Sequence, residues 1–287
     1  MRHSIGTHDG SFHADEVTSL ALLIVYGLAD RNKIIRTRNP EQLNSCEFIC
    51  DVGNVYDPKR KRFDHHQNEY QGNLSSAGMV LRYLHDEGII NEGEFTLLAH
   101  SLVDGVDAHD NGIDPAPPGV TTFSHIIGNF LPIVYGSSDE ELNQAFFQAL
   151  DFVTGHLNRL IERYRYTQSV KTVVEEAMKS NSPLLVFDHP LPWLDSFFEL
   201  GGISHPALFV IMPAGPYWKV RTIPPSPANK MQIRKMLPKL WAGLKEEELQ
   251  KVSGIQGAVF CHKALFLSIW KTKEDAMSAA QIALRQP

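Results

Sequence analysis

An α/β fold with a largely parallel sheet, followed by a smaller C-terminal α/β domain, is what the order of short apolar runs and helical patterns predicts. Three observations carry this expectation. The first 110 residues alternate β-rich runs with amphipathic segments in the order strand, helix, strand, strand, strand, helix, helix. A long segment of helical periodicity then runs from Ser138 to about Lys179. Beyond Leu184 the composition turns to strands and turns, closing on an Ala-rich helix.

Element by element, residues 2–7 form a short strand candidate. Residues 15–26 place Val17, Leu20, Ala21, Leu23 and Ile24 on one helical face. Residues 33–38, 47–52 and 60–64 are further short strands, and residues 75–86 and 92–106 are expected helices. DPAPPG, residues 114–119, is a loop. Ser138 and Glu141 have the spacing of a capping box at the start of a helix that carries Phe146, Phe147, Leu150, Val153, Leu157, Leu160, Ile161 and Tyr164. In the C-terminal part, residues 184–188, 207–212 and 217–223 are strand candidates, residues 257–270 hold one or two more, and the final helix starts at residues 272–275. The domain boundary is expected near residue 180, giving 1–180 and 181–287.

Composition narrows the function classes. The net charge of −6 excludes a protein that coats nucleic acid with a bulk positive surface, but leaves room for a local basic patch. Cys46, Cys50 and Cys261 are odd in number, lack zinc-site spacing, and read as free thiols of a reducing compartment. No signal-peptide pattern and no apolar run of roughly 20 residues is present, so a cytoplasmic protein without a membrane span is expected.

The chemistry concentrates in four islands: His8/Asp9/His13/Asp15, within IGTHDGSFHADEV at residues 5–17; then Asp51; then Asp64/His65/His66; then Asp104/Asp107/Asp110. Three of them stand where a strand candidate ends, the place where parallel α/β sheets bind ligands. Mixed carboxylates and imidazoles suit manganese, iron or zinc better than calcium. The donors outnumber the needs of one ion, which points to two ions sharing a bridging carboxylate, the arrangement that clamps a phosphate ester. Within the islands, Asp9 is expected to cap its turn, Asp104 to be a solvated helix position, and Asp110 to order the Asn111-Gly112 turn.

The ordered set HxxxxHAD at residues 8–15, the isolated Asp51, DHH at residues 64–66 and the later Asp107 resembles the motifs of the DHH phosphoesterase superfamily. GTHDGSFHADEV, DVGNVYD, FDHHQ, SSAGMV, VDAHDNGID and LPKLWAGLKEEELQKVSGIQGAVFCH narrow the resemblance to the melanocyte proliferating gene 1 family, over almost the whole chain. That resemblance implies a metal-dependent hydrolase, a 3′–5′ exonuclease acting on RNA or short oligonucleotides. It implies two divalent ions, Mn2+ first, with Mg2+ or Zn2+ as alternatives. His8, His13 and Asp51 would hold one ion; Asp15, Asp51, His65 and Asp107 would hold the other, with Asp51 bridging. His66 would face the substrate phosphate, and Asp64 would hold an imidazole by a hydrogen bond. His13 stands where the pyrophosphatase members carry aspartate, which removes one negative charge from the first ion.

The second domain would bind substrate, through Arg221, Arg234 and His262; Trp218 and Trp241 could stack on bases, although a Trp in a strand is more often a core residue, and residues 230–239 could instead form a solvated helix face. After His262 this chain has KALFLSIW where the family carries a glycine-containing stretch, and bulky residues keep a backbone away from phosphate as glycine does not. Two other functions fit the same residues: a pyrophosphatase or small-nucleotide phosphatase, and a metal-binding regulatory module without catalysis. The sequence does not set the oligomeric state.

Overall fold

A computed structural model describes residues 1–113, 116–134 and 136–286, so Asp114 and Pro115 of the expected loop lie outside the described residues. The chain divides into two compact units, Met1–Tyr164 and Arg165–Pro287. The division falls inside a helix, some residues before the compositional shift near residue 180.

The first unit is α/β. Its strands are β1 (Ile5–Thr7), β2 (Ile34–Arg36), β3 (Phe48–Cys50), β4 (Tyr56–Asp57) and β5 (Arg62–Phe63), in the sheet order β2-β1-β3-β5-β4. Ile5 sits opposite Ile34 and Phe48 in parallel register, and β5 runs parallel to β3. Only the edge strand β4 is antiparallel, to β5. Helices α1 (Ala14–Val25) and α2 (Pro40–Asn44) connect the first three strands, and α3 (Ser76–Asp86), α4 (Glu92–Leu98), α5 (Asp104–Asp110), α6 (Phe123–Gly128) and α7 (Asp139–Ser169) follow. The strands are three residues or fewer, and β1 and β3 are fully buried, because both faces of a parallel sheet are covered.

The core forms where the periodicity placed it. Val17, Leu20, Leu23, Val80, Leu84, Phe146, Leu150, Val153 and Leu157 are fully buried in one cluster, each contributing about 1.5–3 kcal/mol relative to exposure. Ser138 and Glu141 make the expected capping box, Ser138 N–H donating to Glu141 Oε2 at 2.8 Å. The helix expected over residues 92–106 is instead interrupted: a π turn at Ala99–Val103 separates α4 from α5. A π turn carries an extra residue and resets the helical phase, often next to a functional site.

The second unit holds α8 (Lys171–Met178), β6 (Leu184–Val186), α9 (Trp193–Glu199), β7 (Phe209–Ala214), β8 (Tyr217–Thr222), α10 (Glu246–Ser253), β9 (Ala258–Cys261), β10 (Leu267–Trp270) and α11 (Lys273–Arg285). Its sheet order is β6-β7-β8-β10-β9, with only β6 and β7 parallel. The final helix starts at Thr272, whose hydroxyl accepts from Asp275 N–H at 3.1 Å. Residues 230–239 are not a helix; a short 3-10 turn at Lys239–Trp241 buries Trp241 against Trp270. All three cysteines are buried thiols. Among the described residues, no helix is long and apolar enough to cross a membrane.

One packing detail ties α5 to α3. Asp107 Oδ1 accepts from Ser75 N–H at 3.1 Å, Ser75 Oγ at 2.6 Å and Gly78 N–H at 3.0 Å, so this carboxylate satisfies the free donors at the start of α3. A Cβ on Gly78 would overlap Asp107 Oδ2, whereas one on Gly105 would meet nothing within 4 Å. Gly78→Ala is therefore expected to cost about 1–3 kcal/mol in urea denaturation, while Gly105→Ala is neutral or stabilising by up to about 1 kcal/mol. Equal effects of the two would contradict this role for Gly78.

Candidate metal centre

The three central parallel strands each hand over to a site residue at their carboxyl ends. His8 follows β1, Asp51 follows β3 and Asp64 follows β5. These strands are neighbours in the sheet, so side chains far apart in sequence stand one strand spacing apart, roughly 5 Å. Asp51 adopts a left-handed backbone, φ 56°, which turns the chain sharply out of β3; aspartate tolerates this better than most residues.

Asp51 lies at the centre. Its Oδ2 is 3.3 Å from His8 Nε2, and its Oδ1 is 3.5 Å from His65 Nε2 and 3.6 Å from His66 Nδ1. Among the described residues, three groups offer ligand atoms within 4.8 Å of one another: Asp51, His65 and His66; His8, Glu16 and Asp51; and His13, Asp15 and Asp110. Asp51 belongs to two of them. Among the described residues, the buried oxygens Asp15 Oδ1 and Oδ2 have no hydrogen-bond partner, and Asp51 Oδ1 has only the long contacts to His65 and His66. Buried carboxylate oxygens left without partners cost stability unless a cation meets them, so this donor set fits divalent ions.

The residues around Asp51 are held by the fold. His13 sits just before α1, and its N–H donates to both oxygens of the fully buried Glu16, at 3.0 and 2.9 Å. Glu16 Oε1 is also 3.0 Å from His8 Nε2. Asp64, 1% exposed, accepts from Asn54 N–H at 2.6 Å and contacts His66 Nδ1 at 2.7 Å, leaving the His66 ring more than half exposed. Arg36, at the end of β2, donates to Gly10 carbonyl at 2.6 Å and lies over the Phe146 ring, pinning the loop between β1 and α1.

Two sequence expectations are corrected here. Asp107 does not join the three groups, because its carboxylate is turned to the start of α3; Asp110, one turn later, stands 2.9 Å from His65 Nε2 instead of serving the Asn111-Gly112 turn. Arg234 has all five guanidinium donors on backbone carbonyls, of Pro224, His205, Ala207, Gly202 and Ile203, and so braces loops of the second unit. Arg221 on β8 and His262 after β9 are half-buried. Asp104 is exposed, as expected, and Asp9 pairs with Arg38 at 3.3 Å. Glu16 was not among the expected residues; its place one turn into α1, three residues after His13, is the signal a capping box gives.

The electrostatics follow from packing acids together. Burial, then the charges of Asp51, Glu16 and Asp110, push the Asp15 carboxyl well above the usual range. Burial also opposes charge on Asp51, but His65 and His8 outweigh it and hold that carboxyl well below the usual range. Burial alone would lower the His8 pKa; its contacts with Asp51 and Glu16 win and raise it from 6.5 to about 10. His65 is raised to about 10 by Asp110 and Asp51.

A cleft of about 1020 Å3 opens over His8, Asp51 and His66, and Arg38, Arg60 and Arg62 line it. A second cavity of about 580 Å3 adjoins Asp15 and Asp110.

The family model MYG1_exonuc, described as Uncharacterised protein family (UPF0160), matches residues 4–284. The MYG1 protein of Chlamydia trachomatis is 47% identical over 283 residues, covering 99% of this chain and 97% of that protein. The human MYG1 exonuclease is 32% identical over 327 residues, covering 98% of this chain and 86% of that protein. The chain belongs to the MYG1 family. Among solved structures, manganese-bound RecJ of Thermus thermophilus matches with a TM-score of 0.30 at 14% identity; 99% of this chain aligns, spanning about half, 52%, of that one. A likeness at that score carries no weight for function.

A coordinating imidazole nitrogen gives up its proton, so ion binding at His8 and His65 competes with protonation. With folded pKa values raised to about 10, the ion pairs to Asp51 are complete below pH 6.5 and fade as pH climbs towards 10, while ion affinity grows in the same direction. The rise in melting temperature caused by Mn2+ is expected to be larger at pH 8.5 than at pH 6.5. A rise that is equal or smaller at pH 8.5 would place the ions elsewhere.

Proposed function

We propose that this protein is a metal-dependent phosphodiesterase that removes nucleotides one at a time from the 3′ end of RNA or short oligonucleotides. The observation that carries the reading is Asp51, shared between two ligand groups, beside buried Asp15 oxygens that have no hydrogen-bond partner among the described residues and that a cation would satisfy. The name exonuclease borne by the human relative supports the choice of phosphodiester substrate.

Divalent ions held by His8, His13, Asp15, Asp51, His65 and Asp110, with Glu16 beside them, would supply an activated water and neutralise phosphate charge; two Mn2+ is our assignment. The remaining roles fall to the chain. His66 presents its ring to the cleft and stabilises charge on the phosphate oxygens. Asp64 fixes that ring through Nδ1 and is a positioning residue. Hydrolysis adds the water oxygen to phosphorus and breaks the bond to the 3′ oxygen of the preceding nucleotide, which takes the proton. Arg38 and Arg60 at the cleft attract the polyanion, which reconciles a net charge of −6 with a nucleic-acid substrate. In the second unit, Arg221 and His262 remain the assigned substrate contacts.

The test uses end-labelled single-stranded RNA and, in parallel, pyrophosphate, with chelator-treated protein and added Mn2+, Mg2+ or Zn2+. A metal-restored ladder of single-nucleotide steps is expected, reduced to background in Asp51→Asn and roughly 10- to 100-fold in Asp64→Asn. Phosphate release from pyrophosphate without RNA cleavage would replace this reading with the small-substrate one. Undiminished activity of Asp51→Asn would refute the shared-carboxylate site.

A further inference from the structure

The metal groups are flanked by two cavities of different character. The larger is the arginine-lined cleft. The smaller, about 580 Å3, is bounded by Asp15 and Asp110 and lined by Phe12, Val106, Leu131, His109, Ser124 and Asn129; no lysine or arginine lines it. His13 lines both. The smaller volume lies within the roughly 300–1,000 Å3 typical of sites for one small molecule.

Its walls carry hydrogen-bonding groups that the fold leaves unused. Ser124 is 7% exposed, and among the described residues neither its Oγ nor the buried His109 Nδ1 has a hydrogen-bond partner. The His109 ring packs edge to face on His125 at 5.0 Å, which stiffens an aromatic surface in the wall. Apolar area, an imidazole and unused polar atoms are what a nucleoside needs: a face to stack on and partners for sugar and base edges. Charge excludes more than that. A second phosphate would find no lysine or arginine in this cavity, whereas the larger cleft offers Arg38, Arg60 and Arg62 to receive it.

Resting on the proposed function, we infer that this smaller cavity is the subsite for the nucleoside of the nucleotide being removed, and that the remaining chain lies in the arginine-lined cleft. The pocket accepts one uncharged nucleoside and rejects a continuing phosphate chain, so it sets a one-nucleotide step and requires a chain end. The removed nucleotide keeps its 5′ phosphate at the metal groups; the shortened chain leaves with a free 3′ hydroxyl.

Gly128 offers a direct test, because it lines this cavity and a Cβ added there meets nothing within 4 Å. The readout is the ratio of kcat/KM for uridine 5′-(p-nitrophenyl phosphate) to that for bis(p-nitrophenyl) phosphate, with Mn2+; the two esters differ in the nucleoside. Gly128→Leu is expected to lower that ratio roughly 10- to 200-fold, the effect of aliphatic misfit in a substrate pocket. Ser124→Ala, a smaller change should Gly128→Leu fold poorly, is expected to lower it roughly 2- to 10-fold, as for one lost hydrogen bond. An unchanged ratio in both variants overturns the subsite, whether both rates stay level or fall together. If the wild-type protein turns over neither ester, the phosphodiesterase reading fails first and the subsite falls with it.

Discussion

Like charges crowded into a buried place are the constraint on which the rest of this structure depends. Asp15, Glu16, Asp51 and Asp110 converge on His8, His13 and His65 at the carboxyl edge of one sheet. Three of these acids are almost fully buried. Without added cations, protons must do the compensation: Asp15 is pushed towards its neutral form, and His8 and His65 towards their charged forms. A fold that keeps such a cluster and leaves carboxylate oxygens without hydrogen-bond partners is built around ions rather than around its own packing.

The topology explains how so few residues assemble it. Each of β1, β3 and β5 is at most three residues long, and each ends one residue before a site side chain. Parallel pairing fixes their ends side by side, so the strands need only be correct in register for His8 and Asp51 to meet and for Asp64 to follow on the neighbouring strand. The surrounding contacts then remove freedom from each group. Glu16 ties His8 to the start of α1, Asp64 holds His66, and Arg36 holds the intervening loop. The arginine-lined cleft beside this edge gives a protein of negative net charge a local place for a polyanion.

Much of this was legible in the sequence, for reasons that can be named. The largely parallel sheet followed from the order of apolar runs, and His8, Asp51 and Asp64 were conspicuous because polar residues directly follow buried strands. The choice between Asp107 and Asp110 was not legible. They are three residues apart on one helix and share a face; which one reaches His65 depends on where α5, re-phased by the π turn, passes the sheet edge. Glu16 was hidden because capping and ion-binding roles use the same residue type at the same spacing. Arg234 resembled a free cation in sequence, and only the loops around Gly202, His205 and Pro224, distant along the chain, show that its donors are engaged. The boundary between the units shows no compositional mark, because α7 keeps one helical periodicity through it.

The central claim is that Asp51 joins two ions in one centre. Electron paramagnetic resonance of the chelator-treated protein, titrated with Mn2+ at a fixed protein concentration, tests it most directly. The account predicts that two equivalents bind and that their spectrum is that of an exchange-coupled pair, with the coupling absent in Asp51→Asn. Isolated, uncoupled Mn2+ signals at every ratio, or an unaltered coupled spectrum in Asp51→Asn, would contradict it.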